Sequence, residues 1–193
     1  GQLGGGAGTF WMKSGTASID SVVFNFGTGG AGTLLLGGGI LTTSALTRTG
    51  GTGTLLFDGG TLKAGGTASI LAQGLSNAYI QGGGAVIDTA GLDISLPQLL
   101  RVDTASPGGG LTKRGTGGLT PTGANTYTGV TTVEARTLHV AGAGGVVGSA
   151  ARGRVVAGGA ALALSGGISY AVGEALQIAG AGEGSRGALQ SDA

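Results

Sequence analysis

The residues able to do chemistry are few, and their spacing limits what each can do. Cysteine is absent and His139 is the only histidine. In the run Thr137-Leu138-His139-Val140 the imidazole alternates with two apolar residues, which puts it on a solvent face rather than inside a nucleophilic triad. Three carboxylates, Asp88, Asp93 and Asp103, fall close together with Arg101, and Lys113-Arg114 follow. Gathered on one wall they would suit acid/base hydrolysis or calcium binding. The plainer reading makes them turn residues, because Asp58 and Asp88 directly precede Gly or Thr beside glycines. The calcium-binding nonapeptide pattern does not occur. Glycine runs such as Gly4-Gly5-Gly6 and Gly37-Gly38-Gly39 look like phosphate cradles, yet no Gly-Lys-Ser/Thr follows and no helix receives an anion. The expectation is no catalytic residue, no cofactor and no metal.

Contact residues are the remaining candidates. Trp11, the sole tryptophan, falls opposite Phe10 and Met12 and beside Lys13. An outward aromatic there stacks on a sugar or anchors an interface; the plainer reading is a partly covered rim residue. Leu35 and Leu56 point away from the Leu34/Leu36 and Leu55/Phe57 faces. Such outward leucines are either a lateral contact or part of a flattened, two-sided core.

The elements that would hold these residues follow from composition. The chain has 193 residues, 47 of them glycine, about three times the usual share. Charged residues are 10% and mean hydropathy is +0.35, which is not the profile of a disordered chain. Three prolines and irregular glycines exclude collagen. Glycine every few residues costs a helix about 1 kcal/mol each time relative to alanine. A turn-rich all-β protein is what survives. A net charge of +1 and a pI of 8.3 argue against nucleic acid as the main partner. No apolar stretch reaches the ~18 residues of a membrane helix. No charged-then-apolar leader precedes Gln2, so a signal peptide is expected outside these residues.

Internal repetition sharpens the fold. GTLLLGGGIL (32–41) aligns with GTLLFDGGTL (53–62) at an offset of 21 residues. Looser cousins are GGAVIDTAGLDIS (83–95), GGLTKRGTGGLT (109–120), GVTTVEARTLHVAG (129–142) and GGAALALSGG (158–167). Each is a short β-prone run, a glycine turn and another run. Val22, Phe24 and Phe26 oppose Val23 and Asn25; Leu138 and Val140 oppose Thr137 and His139; Leu162 and Leu164 oppose Ala161 and Ala163. One such unit cannot bury its apolar face alone, whereas stacked units can. The pattern predicts a single-stranded right-handed β-solenoid, one continuous segment over 1–193 of roughly nine coils spanning roughly 45 Å. A two-sheet sandwich is the competitor, and the regular offset favours the solenoid.

Residues 109–142, GGLTKRGTGGLTPTGANTYTGVTTVEARTLHVAG, resemble the autotransporter-associated β-strand repeat of bacterial autotransporter passengers. Gly110 to Lys113, Leu119-Thr120, Gly123 to Gly129, Thr131 to Val133 and Thr137-Leu138 match the family pattern, and the heptad GANTYTG is its specific part. Two departures stand out. Pro121 replaces an apolar strand residue, which suits an edge or a bulge. Arg136 stands where the family has glycine, and is strained if that turn needs positive φ. The C-terminal GALQSDA (187–193) stops where a further repeat would begin, so a cut or processed chain is expected. The resemblance implies an exported, non-catalytic stalk or surface material, located at the cell surface or outside the cell.

Three functions compete. The first is a structural stalk, fibre or surface layer whose open ends stack on further copies. The second is an adhesin or glycan-binding module using Trp11, Tyr79, Tyr170 and the loop from Asp103 to Gly108. The third is a carbohydrate-active enzyme built on Asp88 and Asp93.

Overall fold

The computed structural model describes residues 6–25, 27, 29–141, 147, 148, 152–166 and 175–192. Phe26 and Tyr170, both singled out above, lie outside them. The chain winds as a β-solenoid of about seven turns, in which every strand pairing is parallel to its counterpart one turn on. The first turn consists of β1 (Ala7–Met12), β2 (Thr16–Ser18) and β3 (Ser21–Asn25). The second has β4 (Ala31–Leu36), β5 (Ile40–Thr43) and β6 (Ala45–Gly50), and the third β7 (Thr52–Phe57) and β8 (Thr61–Ala64). Then come β9 (Asn77–Ile80), β10 (Ala85–Asp88) and β11 (Ile94–Leu96), followed by β12 (Arg101–Val102), β13 (Leu111–Arg114) and β14 (Leu119–Pro121). Among the described residues the later turns carry two strands each: β15 (Thr131–Val133) with β16 (Arg136–Ala141), β17 (Arg154–Val156) with β18 (Ala160–Ser165), and β19 (Leu176–Ile178) with β20 (Leu189–Asp192).

These strands line up on three faces. Face A is β1-β4-β7-β9-β12; face B is β2-β5-β8-β10-β13-β15-β17-β19; face C is β3-β6 and, further along, β11-β14-β16-β18-β20. Face B counts the turns, because its eight strands bound seven steps. The sequence expectation of nine coils is therefore too high. It assumed a uniform 21 residues per turn, which holds from Leu34 to Leu55, but the step lengthens to 26 between Val86 and Thr112. Seven steps of ~4.8 Å make a rod of roughly 34 Å.

Alternation along each strand decides which side chains enter the rod. In β4 the pattern leaves Leu34 and Leu36 buried and Leu35 half-buried; β7 repeats it with Leu55, Phe57 and Leu56. Leu34 stacks on Leu55, and Leu36 on Phe57. On face B the inward column reads Ala17, Leu41, Leu62, Ile87, Lys113, Val133, Val156 and Ile178. Burial of such aliphatic columns is the main driving force for a sequence poor in charge.

Tight corners explain part of the glycine content. A Cβ on Gly110 would run into the carbonyl oxygen of Val130 one turn on, and one on Gly117 into that of Leu92. Arg136 has φ 57°, so the strain anticipated for a residue in place of glycine is present. Pro121, expected at an edge or a bulge, instead ends β14 in the interior of face C with its side chain buried. Its missing N–H falls where β14 and β16 share only the Leu119–Leu138 pair, so little ladder is lost there.

Past β12, face A carries no further strand among the described residues, and the GANTYTG heptad takes its place. The Leu100 N–H donates to Asn125 Oδ1 at 2.8 Å, and the Thr126 N–H to the Leu100 carbonyl at 2.9 Å. Gln98 acts in the same way one turn earlier, its Oε1 accepting from the Leu75 N–H at 2.9 Å. Tyr127 fills the interior, fully buried, with its hydroxyl 2.7 Å from Thr131 Oγ1. Burial pushes that phenol's pKa far up.

Candidate interaction surfaces

Three surfaces follow from this scaffold. The first is the outward column of face A. Register places Trp11 beside Leu35, Leu35 beside Leu56, Leu56 beside Tyr79 and Tyr79 beside Arg101. The three residues expected to form an interface, Trp11, Leu35 and Leu56, thus stand in one line along the rod. Tyr79 extends the line, its hydroxyl donating to Asn77 Oδ1 at 3.3 Å. Trp11 is 53% exposed, and the Lys13 ammonium lies 3.8 Å from the centre of its ring, a cation–π contact that shields part of the indole. Leu35 and Leu56 are half-buried on this outward column.

The second surface is the pair of rod ends. Phe10 belongs to the inward column of Leu34 and Leu55, yet is 49% exposed. With Ile19, Val22, Val23 and Phe24 it lines an apolar hollow of about 320 Å³. At the other end Leu176, Ile178 and Leu189 are likewise exposed although their column partners Arg154, Val156 and Leu162 are buried.

The third is a polar cleft of about 500 Å³ on the outside of face C. After β19 the chain turns back through a 3₁₀ turn, Glu183–Ser185, closed by the Gly187 N–H donating to the Ala181 carbonyl at 2.9 Å. Glu183 reaches the outer face of β16, where one carboxylate oxygen accepts from the Thr137 hydroxyl at 2.8 Å and the other pairs with the Arg136 guanidinium. Thr137 is buried as a result, and His139, two residues on, lines the cleft half-buried. The sequence places His139 outward, as observed. Nothing in it signals that a segment 46 positions away comes to lie over that face.

The carboxylates do not assemble on one wall. Asp88 sits outward on face B between Lys63 and Arg114, and its Oδ1 accepts from the Ala90 N–H at 2.8 Å. Asp58 Oδ1 accepts from the Gly83 N–H, and Asp93 Oδ1 from the Gly118 N–H at 2.6 Å. Asp103 lies at another corner, where hydrogen bonds from Gln81 and from the Ala105 N–H hold its carboxyl below the usual range. The rest of its loop is tied down too: Ser106 Oγ accepts from the Gly82 N–H and Thr128 Oγ1 from the Gly108 N–H. Among the described residues no three His, Asp or Glu side chains are grouped so as to hold a metal ion.

Lys113 separates from its neighbour Arg114. Arg114 points out and bonds Glu134 at 2.6 Å, continuing a column of alternating sign that begins with Lys63 and Asp88. Lys113 points in and is fully buried; its ammonium donates to Thr89 Oγ1 at 3.2 Å and to the carbonyls of Arg114 at 3.0 Å and Gly115 at 2.6 Å. Burial pushes its pKa down from 10.5 to about 8. Lys113 thus lies inside the rod rather than on an outer wall with the carboxylates, and Asn125 and Tyr127 join it as interior polar groups that the sequence does not mark. The Leu111-Thr112-Lys113 alternation was the available signal for Lys113.

Compared with known protein families, with curated proteins and with solved structures, the chain has no match in any of the three.

Proposed function

We propose that this chain is a non-catalytic structural segment of an exported surface protein, serving as stalk, fibre or surface-layer material, with copies stacking end to end. The observation that carries this reading is the unbroken parallel ladder of face B, whose inward columns finish in exposed apolar side chains at both ends of the rod. A second copy placed head to tail would set β2 on β19 in the same parallel sense. It would cover Phe10 at one junction side and Ile178 and Leu189 at the other. A repeated head-to-tail contact of this kind does not close, so it builds a filament. Export is supported by the GANTYTG resemblance, and the absence of cysteine suits a chain that must stay unfolded on the way out. The test is sedimentation and negative-stain microscopy across a concentration series. Rods that lengthen with concentration support the reading, and strictly monomeric particles at high concentration remove it.

A second reading, a glycan-binding adhesin, draws on the outward column that carries Trp11 and Tyr79. Saturable binding on a glycan array that disappears in Trp11→Ala would favour it over passive scaffolding.

A further inference from the structure

The face C cleft lies apart from the Trp11 column, and one of its walls belongs to the same last turn that carries Leu189. Its shape is the first clue. Asp93, just before β11, and Gln190, within β20, both line it, although these strands are the outermost two of a five-stranded sheet. Four strand spacings of ~4.8 Å make the cleft roughly 19 Å long. Its volume of about 500 Å³ lies within the ordinary range of small-molecule sites, ~300–1,000 Å³. Spread over that length, the volume leaves a section wide enough for one extended chain, lying along the rod axis.

Hydrogen-bonding capacity is the second clue. Both Glu183 oxygens are engaged, by Thr137 and Arg136. Asp93 spends Oδ1 on the Gly118 N–H, and Gln190 spends one of its two Nε2 hydrogens on the Gly187 carbonyl. Also facing the cleft are the second oxygen of Asp93, the Gln190 Oε1, the Arg136 nitrogens that Glu183 does not take, and the Arg186 guanidinium, which makes no hydrogen bond or ion pair among the described residues. Two spaced acceptors ask for a ligand rich in hydroxyl donors. Of the two guanidiniums in the lining, Arg136 already holds Glu183, and Arg186 asks for a carboxylate, which such a group grips in a planar, two-bond fork.

We propose that this cleft binds an acidic polysaccharide, a chain of sugar units carrying carboxylates, running parallel to the rod axis. Arg186 holds a carboxylate of the chain, while Asp93 and Gln190 accept hydrogen bonds from sugar hydroxyls. The Arg136–Glu183 pair fixes the wall over β16 and positions Arg186 three residues on.

Titration calorimetry on the whole chain tests this, with a galacturonic acid oligomer as the probe. The neutral galactose oligomer of equal length, an oligoglutamate peptide and inorganic sulfate serve as comparisons. Saturable binding of the acidic sugar is expected, weakened at least about tenfold in Arg186→Ala and clearly weakened in Gln190→Ala. Trp11→Ala, remote from the cleft, should bind as the parent does, which separates this site from the adhesin reading. Arg186 is exposed, so circular dichroism of its variant should match the parent's. No saturable binding of the acidic oligomer overturns the proposal, as does parent-like affinity in Arg186→Ala. Equal affinity for oligoglutamate, for sulfate or for the neutral sugar overturns it too, because the site would then read a peptide, a bare anion or no charge at all. End-to-end stacking is measured separately and can fail without touching this result.

Discussion

Lys113 shows how far strand alternation overrides side-chain polarity. It follows Leu111 and Thr112 in β13, and the pleat turns it into the rod between Ile87 and Val133. An ammonium there survives because Thr89 and two carbonyls receive its protons. With a folded pKa near 8 and an unfolded one near 10.5, the unfolded chain binds more protons between those values. Stability should therefore rise as pH climbs from 8 to 10.5, by on the order of 2 kcal/mol, and show no slope from this group below pH 7. Denaturant titrations across that range should show the rise in the parent and its loss in Lys113→Met; identical pH profiles would contradict it. Asn125 permits a second prediction at this scale. Asn125→Ala strands the buried Leu100 N–H, a loss of about 1–3 kcal/mol measurable by urea unfolding. Neither residue is marked as interior by its type. Only the local alternation exposes Lys113, and only the missing continuation of face A gives Asn125 and Tyr127 their role.

At the scale of the strand, the leucine pairs of β4 and β7 divide cleanly into inward and outward columns. Leu55 is packed under Leu34 and above Ala78, whereas Leu56 stands outside between Leu35 and Tyr79. Leu55→Ala should cost about 2–5 kcal/mol, the usual range for an emptied core site. Leu56→Ala should cost less than that, because its side chain stands outside the rod and is only partly covered. Comparable losses in thermal or chemical unfolding would point to a two-sided core instead. This division was readable in the sequence, since GTLLLGGGIL and GTLLFDGGTL repeat with matching alternation, and so were the outward position of His139 and the awkward φ of Arg136. The turn count was not, because corner loops of different length hide inside a single apparent period. The cleft was not readable either: its walls come from β16 and from the 3₁₀ turn after β19, which no local pattern connects.

For the whole molecule, the decisive property is that strands one turn apart are vertical neighbours in register. The rod's ends, its outward aromatic column and its cleft along the axis all derive from that. Replacing Ile178 with Lys would put a charge on one end of the inward face B column without disturbing the turns below. Filaments should shorten or vanish while the circular dichroism stays that of the parent; undiminished filaments would mean the ends are not the contact.

The absence of cysteine makes register directly measurable. Leu35→Cys combined with Leu56→Cys places two thiols on adjacent parallel strands, ~4.8 Å apart and within the ~4.4–6.8 Å Cα separation that a disulfide accepts. Leu35→Cys with Asn77→Cys puts them two turns and two residues apart on the same face, beyond that reach. Mild oxidation followed by mass spectrometry should give an intramolecular bridge in high yield for the first pair and almost none for the second. Failure of the 35–56 bridge, or equal yields from the two pairs, would contradict the stacked register.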